Sequence, residues 1–303
     1  MLNLFDITID KKEYLESFLK RRCSVNSEFS FTNLFMWRKG YDMKYAVIDD
    51  MLCILPKHAD GPRSATFPIG FVNEDKSQKD IKNAINTLID YLTEIGETPL
   101  IRLYDEKTVK KLSDTLPDKF IITEDRNSFD YVYRIENLIN LSGKKLHSKR
   151  NHLNRFISTY PDFEYRRLTP ENAGECLALF DRWSGNKEID AINFSEEREA
   201  IVELLDNWEA LKITGGALYV EGKMIAFSFG EVLCGDTVVI HLEHADTEYD
   251  GAFAAMNNLF LKNEWADYTF VNREEDMGIP GMRRAKESYR PEFMVKKYVA
   301  SLK

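Results

Sequence analysis

Hydrophobic residues recur at helical spacing in the first half of the chain. In residues 77–95 the apolar side chains lie three or four positions apart, and Gly96 follows them. This spacing predicts an amphipathic helix that ends at a glycine. Two short apolar runs, residues 44–48 and 51–55, flank Asp49-Asp50 and predict a hairpin. The first half is therefore expected to alternate helices with strands.

The second half repeats this order of elements, although its sequence does not repeat that of the first half. Apolar patterns predict strands at residues 163–168, 217–220, 224–232, 237–243, 268–272 and 293–300, and helices at residues 169–183, 195–208, 253–265 and 283–287. Pro170 at the start of a helix supports one of these assignments. We place the boundary near Leu141, which predicts two domains, residues 1–140 and 141–303.

A basic segment opens the second predicted domain. Residues 142–158 predict a helix that carries lysine, arginine and histidine, although the whole chain has a net charge of -9. The acidic balance argues against a protein that coats nucleic acid. A local basic helix can bind a phosphorylated ligand, and the candidate contact residues are Lys144, Lys145, Lys149, Arg150 and Asn151. The alternative is a solvated helix face that pairs with acidic loops.

Polar residues follow the strand predicted at residues 268–272. Asn272 and Arg273 lie at its end, before a turn rich in glycine and proline. Open α/β sheets place ligand-binding groups at such positions, so both are candidate substrate-binding residues. In the alternative, Arg273, Glu275 and Asp276 form an ion network that only stabilises the fold.

A predicted strand of the second half carries His241, Glu243 and His244. Alternation places His241 and Glu243 on one face of the sheet. A carboxylate at a strand end can act as a general base, which makes Glu243 a candidate catalytic residue. The alternative for the histidines is a hydrogen-bonded place in the core. The spacing differs from HExxH and the sequence has no CxxC pair, so we predict no metal site.

Several functional classes are not favoured by the sequence. It contains no Walker loop, GxGxxG fingerprint or serine-elbow motif, which argues against P-loop nucleotide hydrolysis, Rossmann dinucleotide binding and α/β-hydrolase chemistry. No apolar run approaches the roughly 20 residues that span a bilayer. The first ten residues lack the layout of a signal peptide. We therefore expect a cytoplasmic protein without a transmembrane segment; the oligomeric state stays open.

Three stretches of the sequence resemble a known bacterial family. They are FSFTNLFMW at residues 29–37, GKKLHSKRN at 143–151 and NREEDMGIPGMRRAK at 272–286. The family is the C-terminal domain of phosphatidylglycerol lysyltransferase, and the likeness covers nearly the whole chain. It implies an α+β fold with a mixed sheet, built from two tandem GNAT-like (acyl-CoA N-acyltransferase-like) units.

The resemblance also implies an activity. In the lysyltransferases this domain moves an aminoacyl group from a tRNA to a lipid head group, and related Fem-type enzymes extend peptidoglycan precursors. Both carry a lysine in a short helix, an aromatic residue, a proline and a later tyrosine, which look like Lys286, Tyr289, Pro291 and Tyr298 here. The resemblance implies that Lys286 faces the donor or the transferred carbonyl, where a cation stabilises oxyanion charge. It also implies tRNA as a partner of the basic segment.

The loop that binds coenzyme A in acetyltransferases is poorly matched. Those enzymes use a Gln/Arg-x-x-Gly-x-Gly/Ala loop that leads into a helix, and the corresponding residues 248–254 begin with Glu248. An acidic side chain at this place would repel a pyrophosphate. The resemblance therefore favours aminoacyl-tRNA over acyl-coenzyme A as the donor.

Three hypotheses follow from these observations. The first is an aminoacyltransferase that takes its group from aminoacyl-tRNA and passes it to an amine or hydroxyl of a small molecule, lipid head group or cell-wall precursor. Glu243 or Glu275 would accept the proton. The second is an N-acetyltransferase that binds an acyl-coenzyme A around Gly251. The third is a non-catalytic binding module of the same fold. No cofactor beyond these donors is predicted.

Overall fold

The computed structural model describes residues 2–20, 23–57, 61–70, 78–185 and 194–303. Its helices are α1 (Lys12–Leu19), α2 (Phe31–Trp37), α3 (Gln78–Glu94), α4 (Glu106–Thr115), α5 (Ile135–Asn140), α6 (His147–Thr159), α7 (Glu175–Gly185), α8 (Phe194–Asp206), α9 (Trp208–Leu211), α10 (Ala252–Glu264) and α11 (Pro280–Ser288). None of these helices is long and apolar enough to cross a membrane.

The strands are β1 (Phe5–Asp6), β2 (Lys44–Ile48), β3 (Met51–Leu55), β4 (Ala65–Thr66), β5 (Leu100–Leu103), β6 (Phe120–Glu124), β7 (Asp130–Arg134), β8 (Glu164–Arg167), β9 (Thr214–Val220), β10 (Lys223–Cys234), β11 (Thr237–Ala245), β12 (Phe270–Asn272), β13 (Phe293–Val295) and β14 (Tyr298–Leu302). The chain divides into a first unit, Met1–Phe129 with Val295–Lys303, and a second unit, Asp130–Met294. The predicted α+β class is confirmed.

The first unit contains two small sheets. One has the order β1-β2-β3 and the other the order β4-β5-β14-β6. The predicted hairpin is confirmed, with Ile48 paired to Met51 across the turn. The predicted long helix is α3, which buries Ile81, Ile85 and Leu88 and is followed by Gly96 at φ +78°. Helical spacing of apolar residues was therefore a sufficient guide here.

The second unit is built on a seven-stranded sheet of order β13-β7-β12-β11-β10-β9-β8. Strands β11 and β12 are parallel, whereas β12 pairs antiparallel with β7. Helices α6 and α10 contribute Phe156 and Phe260 to a core that also contains Tyr131 and Tyr133 of β7. The end of β12 therefore lies beside two strands from distant parts of the sequence.

The observed units differ from the predicted ranges 1–140 and 141–303 at both ends. The second unit begins at Asp130, because β7 pairs with β12 and Leu138 of α5 packs in its core. The last residues return to the first unit, because β14 pairs with β5 and β6. The assignment of each range to one GNAT-like domain stays a prediction.

Several predicted elements have different bounds in the structure. The basic helix expected at residues 142–158 begins only at His147, because Gly143 adopts φ +79° in a preceding turn. The strand expected at residues 293–300 is two strands, β13 and β14, that belong to different sheets. The helix expected from Pro170 begins at Glu175. In contrast, α11 begins earlier than predicted, with Pro280 in its first turn.

Candidate active site

The candidate site is built around the loop that follows β12. Asn272 is fully buried and ties the start of the turn to β7. Its Oδ1 accepts a hydrogen bond from the Glu274 amide at 2.7 Å, and its Nδ2 donates to Asp130 Oδ2 at 2.8 Å. Glu274 and Met277 have left-handed backbone conformations, with φ of +54° and +51°. The buried amide thus holds a turn that residues other than glycine adopt at some strain.

Lys286 clamps this loop from α11. Its ammonium donates to the carbonyl oxygens of Arg273 at 2.5 Å and Glu274 at 3.2 Å, and also to that of Glu275. A lysine has three N–H donors, and all three are used here. Burial lowers the pKa of Lys286 to about 8. The lysine implied by the resemblance therefore positions the loop in this state and does not present a free donor.

A buried carboxylate ties the same loop to the start of α11. Asp276 is fully buried and accepts hydrogen bonds from Tyr131 Oη at 2.6 Å and from Arg283 Nε at 2.9 Å. Gly278 N also donates to it at 2.9 Å. Burial alone would raise the pKa of Asp276, but the hydrogen bonds from Arg283, Tyr131 and Gly278 hold this pKa well below its usual range. Asp276 is thus paired with Arg283, and Arg273 with Glu243, whereas the alternative interpretation of the sequence placed Arg273, Glu275 and Asp276 in one ion network.

Arg273 projects from the same loop onto Glu243 of β11. Its Nη2 lies 2.8 Å from Glu243 Oε1, and Asn257 of α10 donates to Glu243 Oε2 at 3.2 Å. Only 12 % of each charged side chain is exposed. The other terminal nitrogen, Nη1, is buried and has no hydrogen-bond partner among the described residues. The site thus contains one oriented donor that no protein group uses.

Two tyrosines and a lysine surround this guanidinium. Its Cζ lies 5.1 Å from the ring centroid of Tyr289 and 5.7 Å from that of Tyr133. Lys149 Nζ lies 4.3 Å from the centroid of Tyr289. Burial, followed by the charge of Arg273, lowers the pKa of Lys149, and burial raises the pKa of Tyr289 to about 12. Lys149 was predicted with Lys144 and Lys145 to contact a phosphorylated ligand, and it lies three positions after Leu146 and four before Leu153 in the apolar stripe.

The other predicted contacts of the basic segment are arranged differently from Lys149. Lys144 and Lys145 are exposed in the turn before α6. Arg150 Nη1 donates to Leu141 O at 2.6 Å, so this arginine closes that turn. Asn151 is exposed and its Nδ2 lies 3.2 Å from His147 Nδ1. Of these four residues, only the two lysines extend side chains with no hydrogen bond in the described structure.

The remaining predicted residues are divided between the two units. Glu275 lies in the clamped loop, half-buried, with its carbonyl bonded to Lys286. Tyr298 lies in β14 of the first unit, where burial and then a hydrogen bond with Glu106 raise its pKa. The structure thus brings Lys286, Asn272, Arg273, Glu243 and Tyr289 together in the second unit. The role of Tyr298 in binding stays a prediction.

His241 occupies a β-bulge next to the site. Phe229 pairs with Leu242 and Gly230 with Ile240, which leaves His241 outside the ladder and breaks the expected alternation. Its Nδ1 lies 2.9 Å from Glu274 Oε1 and its Nε2 lies 3.2 Å from Glu231 Oε1. Burial disfavours the charged ring, but both carboxylates outweigh it and raise the pKa of His241 to about 9. The alternative interpretation, a hydrogen-bonded core histidine, fits this geometry.

Helix α6 lies against the start of α10, where the resemblance predicted the counterpart of the coenzyme A loop of acetyltransferases. Gly251 precedes α10 with φ +86°, and a Cβ atom on it would lie 2.4 Å from His152 O and 3.0 Å from Phe156 Cβ. Arg155 Nη1 lies 2.7 Å from Asp250 Oδ2. The rings of Tyr160 and Tyr249 are 5.3 Å apart. The protein therefore packs its own helix where an open anion-binding loop would be needed.

One known family matches nearly the whole chain. A family model described as phosphatidylglycerol lysyltransferase, C-terminal, matches residues 20–301. The chain belongs to this family. An uncharacterized protein of Mycoplasmoides gallisepticum is 29% identical over 179 residues, which are 58% of this chain and 57% of that protein. The chain thus spans little more than half of this curated relative.

Several solved structures share the fold. A conserved protein of unknown function from Bacteroides thetaiotaomicron is 37% identical and superposes over 100% of both chains with a TM-score of 0.85. L-PGS from Bacillus licheniformis is 16% identical, with a TM-score of 0.63 over 96% of this chain and 91% of that one. A tandem GNAT protein from the clavulanic acid pathway is 8% identical, with a TM-score of 0.51 over 99% and 98%. The GNAT-like fold expected from the sequence is confirmed.

The described residues contain no group of three or more histidine, cysteine, aspartate or glutamate side chains that could hold a metal ion. In this member of the family, the polar groups at the end of β12 are instead bonded to one another and to the loop backbone. The site thus combines the ion pairs Arg273–Glu243 and Arg283–Asp276 with one buried guanidinium nitrogen, Nη1 of Arg273, that has no hydrogen-bond partner among the described residues.

Proposed function

We propose that this protein is an aminoacyltransferase that moves an aminoacyl group from aminoacyl-tRNA to an amine or hydroxyl acceptor, such as a lipid head group or a cell-wall precursor. The observation that carries the proposal is the packing of α6 on Gly251, where a Cβ would meet His152 O at 2.4 Å. A pyrophosphate needs several free backbone N–H groups at a helix start. Family membership supports the same class of reaction.

The charges beside Gly251 also argue against a coenzyme A donor. Glu248 and Asp250 are exposed next to Gly251, and Asp250 is paired with Arg155. Two carboxylates beside a pyrophosphate would oppose its binding. An aminoacyl ester has no pyrophosphate, so this loop does not hinder it. Exposed Lys144 and Lys145 in the turn before α6 are suited to the phosphates of the tRNA.

The proposed reaction exchanges one acyl bond for another. The acceptor nitrogen or oxygen attacks the ester carbonyl, a new bond to this carbon forms, and the bond to the tRNA ribose oxygen breaks. The ribose hydroxyl gains a proton and the acceptor loses one. Arg273 Nη1 is the buried donor suited to the developing oxyanion, and Glu243 holds its guanidinium in place.

The other predicted residues receive more limited roles. Lys286 is a positioning residue, because its donors hold the carbonyls of Arg273, Glu274 and Glu275. Glu243 is engaged by Arg273 and Asn257, so its role as proton acceptor and that of Glu275 stay predictions. Aminoacyl-tRNA is a cytoplasmic donor, and the proposal therefore includes a cytoplasmic location.

The test is a transfer assay with tRNA charged with radiolabelled amino acids. Vesicles of phosphatidylglycerol and a soluble peptidoglycan precursor are supplied as acceptors in separate reactions. We expect label to leave the tRNA and to appear in one acceptor, and Arg273→Gln to slow transfer by about a hundredfold. Transfer of acetyl groups from acetyl-coenzyme A, with aminoacyl-tRNA left intact, would instead identify an acetyltransferase.

A further inference from the structure

Strand β11 holds two consecutive residues of the loop that follows β12. Glu243 Oε1 lies 2.8 Å from Nη2 of Arg273, and His241 Nδ1 lies 2.9 Å from Oε1 of Glu274. Consecutive side chains of an extended chain point to opposite sides. The backbone of Glu274 is left-handed, with φ of +54°, and both loop side chains reach the same strand. An anion and a cation on β11 thus face a cation and an anion on the loop.

The ring of His241 lies between two carboxylates, because Glu231 Oε1 of β10 is also 3.2 Å from its Nε2. A neutral imidazole has one N–H group and can donate to only one of them, whereas the protonated ring donates to both. The His241 side chain has no exposed surface, and the side chains of Glu231 and Glu274 are only 17% and 14% exposed. A ring nitrogen without a proton would therefore face a carboxylate with little water to separate them. The geometry requires the imidazolium form, in agreement with the raised pKa of this ring.

His241 fixes a different part of the loop from Lys286. Lys286 binds backbone carbonyls, whereas His241 binds the side chain of Glu274. Glu274 directly follows Arg273, whose guanidinium is largely buried. A Glu274 carboxylate released by His241 would be attracted to this guanidinium, because opposite charges interact strongly where water is scarce. It would then compete with Glu243, and with a developing oxyanion, for the donors of Arg273.

We propose that His241 is a positioning residue for Arg273: its imidazolium holds the Glu274 carboxylate away from the guanidinium and so keeps Arg273 Nη1 available to the reaction. The inference rests on the proposed function for the role of Arg273, but the hold on the loop can be measured without it. Both ring nitrogens of His241 are engaged, so the ring itself exchanges no proton with the substrates.

The hold on the loop depends on pH. The charges that act on the His241 ring are those of Glu231 on β10 and Glu274 in the loop. The ring keeps both contacts below its folded-state pKa of about 9 and loses one of them as pH rises through that value. Lys286, which clamps the same loop, titrates at about pH 8 and adds a separate step.

One substitution separates the charge of the ring from its contact with the loop. In Glu231→Gln, the neutral ring can donate from Nδ1 to Glu274 and accept from the introduced amide at Nε2. The loop should then stay in place after the ring loses its proton. In His241→Gln the introduced amide cannot bind both carboxylates in the same geometry, so the hold should be weakened at every pH. His244→Gln is the matched control, because His244 lies on the same strand but pairs with Glu197 of α8 at 3.0 Å.

The first measurement follows the loop in the whole protein by NMR of methyl-labelled methionine, with the Met277 methyl group as the reporter. Between about pH 7 and about pH 10 we expect the wild type and His244→Gln to show a change in chemical shift with a midpoint near pH 9. Glu231→Gln and His241→Gln should lack this step and keep the one near pH 8. A step near pH 9 that persists in Glu231→Gln, or that His244→Gln also abolishes, would overturn the hold on the loop.

The second measurement is the transfer assay at about pH 7. Arg273 Nη1 is proposed to act on charge that develops only in the transition state, so His241→Gln should lower kcat by about tenfold and leave KM within about twofold. Glu231→Gln and His244→Gln should keep the kcat of the wild type. An equal kcat in the wild type and His241→Gln would overturn the positioning role. A wild-type protein without transfer activity would reject the proposed function, and the NMR titration would still decide whether His241 holds the loop.

Discussion

Two groups of cations in the second unit are held in opposite ways. Lys144 and Lys145 lie exposed in a turn, where water screens their charges. Lys149, Arg273 and Lys286 are partly or fully removed from water, and each contacts a tyrosine ring or a backbone carbonyl. The number of basic residues in the sequence drew attention to the exposed pair. The buried group includes Arg273 Nη1, the donor that we propose for the oxyanion of the transfer reaction.

The largest expected effect on stability distinguishes Lys286 from an exposed lysine. Lys286→Met leaves the carbonyls of Arg273, Glu274 and Glu275 without their donor, and we expect a loss of about 4 kcal/mol in the free energy of unfolding. Lys262→Met, at an exposed position of α10, should change stability by less than about 0.5 kcal/mol. Urea unfolding of both variants measures the difference. Equal stabilities would mean that the loop does not depend on the clamp.

The next effect compares two glycines with left-handed backbones. Gly251→Ala places a methyl group against His152 O, and we expect a loss of about 3 kcal/mol in the free energy of unfolding. Gly143→Ala meets no atom within 4 Å at φ +79°, so only the backbone strain of about 1 kcal/mol applies. Thermal unfolding of the pair checks this. A tolerated alanine at position 251 would show that α6 can move away from the start of α10, and this would reopen the coenzyme A hypothesis.

A third effect concerns pH and the buried pairing of His241 with Glu231 and Glu274. The folded-state pKa of about 9 lies above the ordinary value of 6.5, so the stabilisation is complete below about pH 6.5 and is lost as pH rises through 9. We expect a loss of about 2 kcal/mol between pH 6.5 and 8. His241→Gln should flatten this slope in urea unfolding. A wild-type slope unchanged by the substitution would assign the pH dependence to another group.

Above pH 8, Lys286 changes the free energy of unfolding in the opposite direction to His241. Its folded-state pKa of about 8 lies below the ordinary value of 10.5, so the unfolded chain binds more protons between these values. Stability from this group therefore rises with pH above 8. The window from pH 6.5 to 8 isolates the effect of His241 on stability. Lys286→Met should remove the rise in stability above pH 8.

The smallest expected effect on folding belongs to the exposed pair. Lys144→Glu with Lys145→Glu should leave the free energy of unfolding within about 0.5 kcal/mol of the wild type. The same change should weaken tRNA binding by about tenfold at low salt. Filter binding and thermal unfolding on one preparation check both expectations. Unchanged tRNA binding would move the nucleic-acid contact away from this turn.

Local patterns predicted the local elements well. The helix α3 and the hairpin of β2 and β3 follow from apolar spacing and a short turn, which require no knowledge of distant residues. The run at residues 293–300 looked like one strand because its apolar character is continuous. Its residues pair with β7 in one sheet and with β5 and β6 in another, and such long-range pairing leaves no mark on local sequence.

The candidate site could be predicted only in part, because several of its contacts join residues that are distant in the sequence. Asn272 and Arg273 were found from their position after a strand, and Lys286 from the resemblance. The partners of Lys286 could not be predicted, because its clamp depends on the left-handed backbone of Glu274. Lys149 was predicted as one cation of the basic segment, but its partial burial follows only from its place in the apolar stripe of the helix.

The most direct test of the donor compares aminoacyl-tRNA with acetyl-coenzyme A on the same preparation. Filter binding with bulk aminoacyl-tRNA should show a complex that weakens about tenfold between 50 and 200 mM salt. Acetyl-coenzyme A should leave the melting temperature unchanged, because α6 packs on Gly251 at the start of α10. A clear thermal shift with acetyl-coenzyme A, together with no binding of tRNA, would contradict the account.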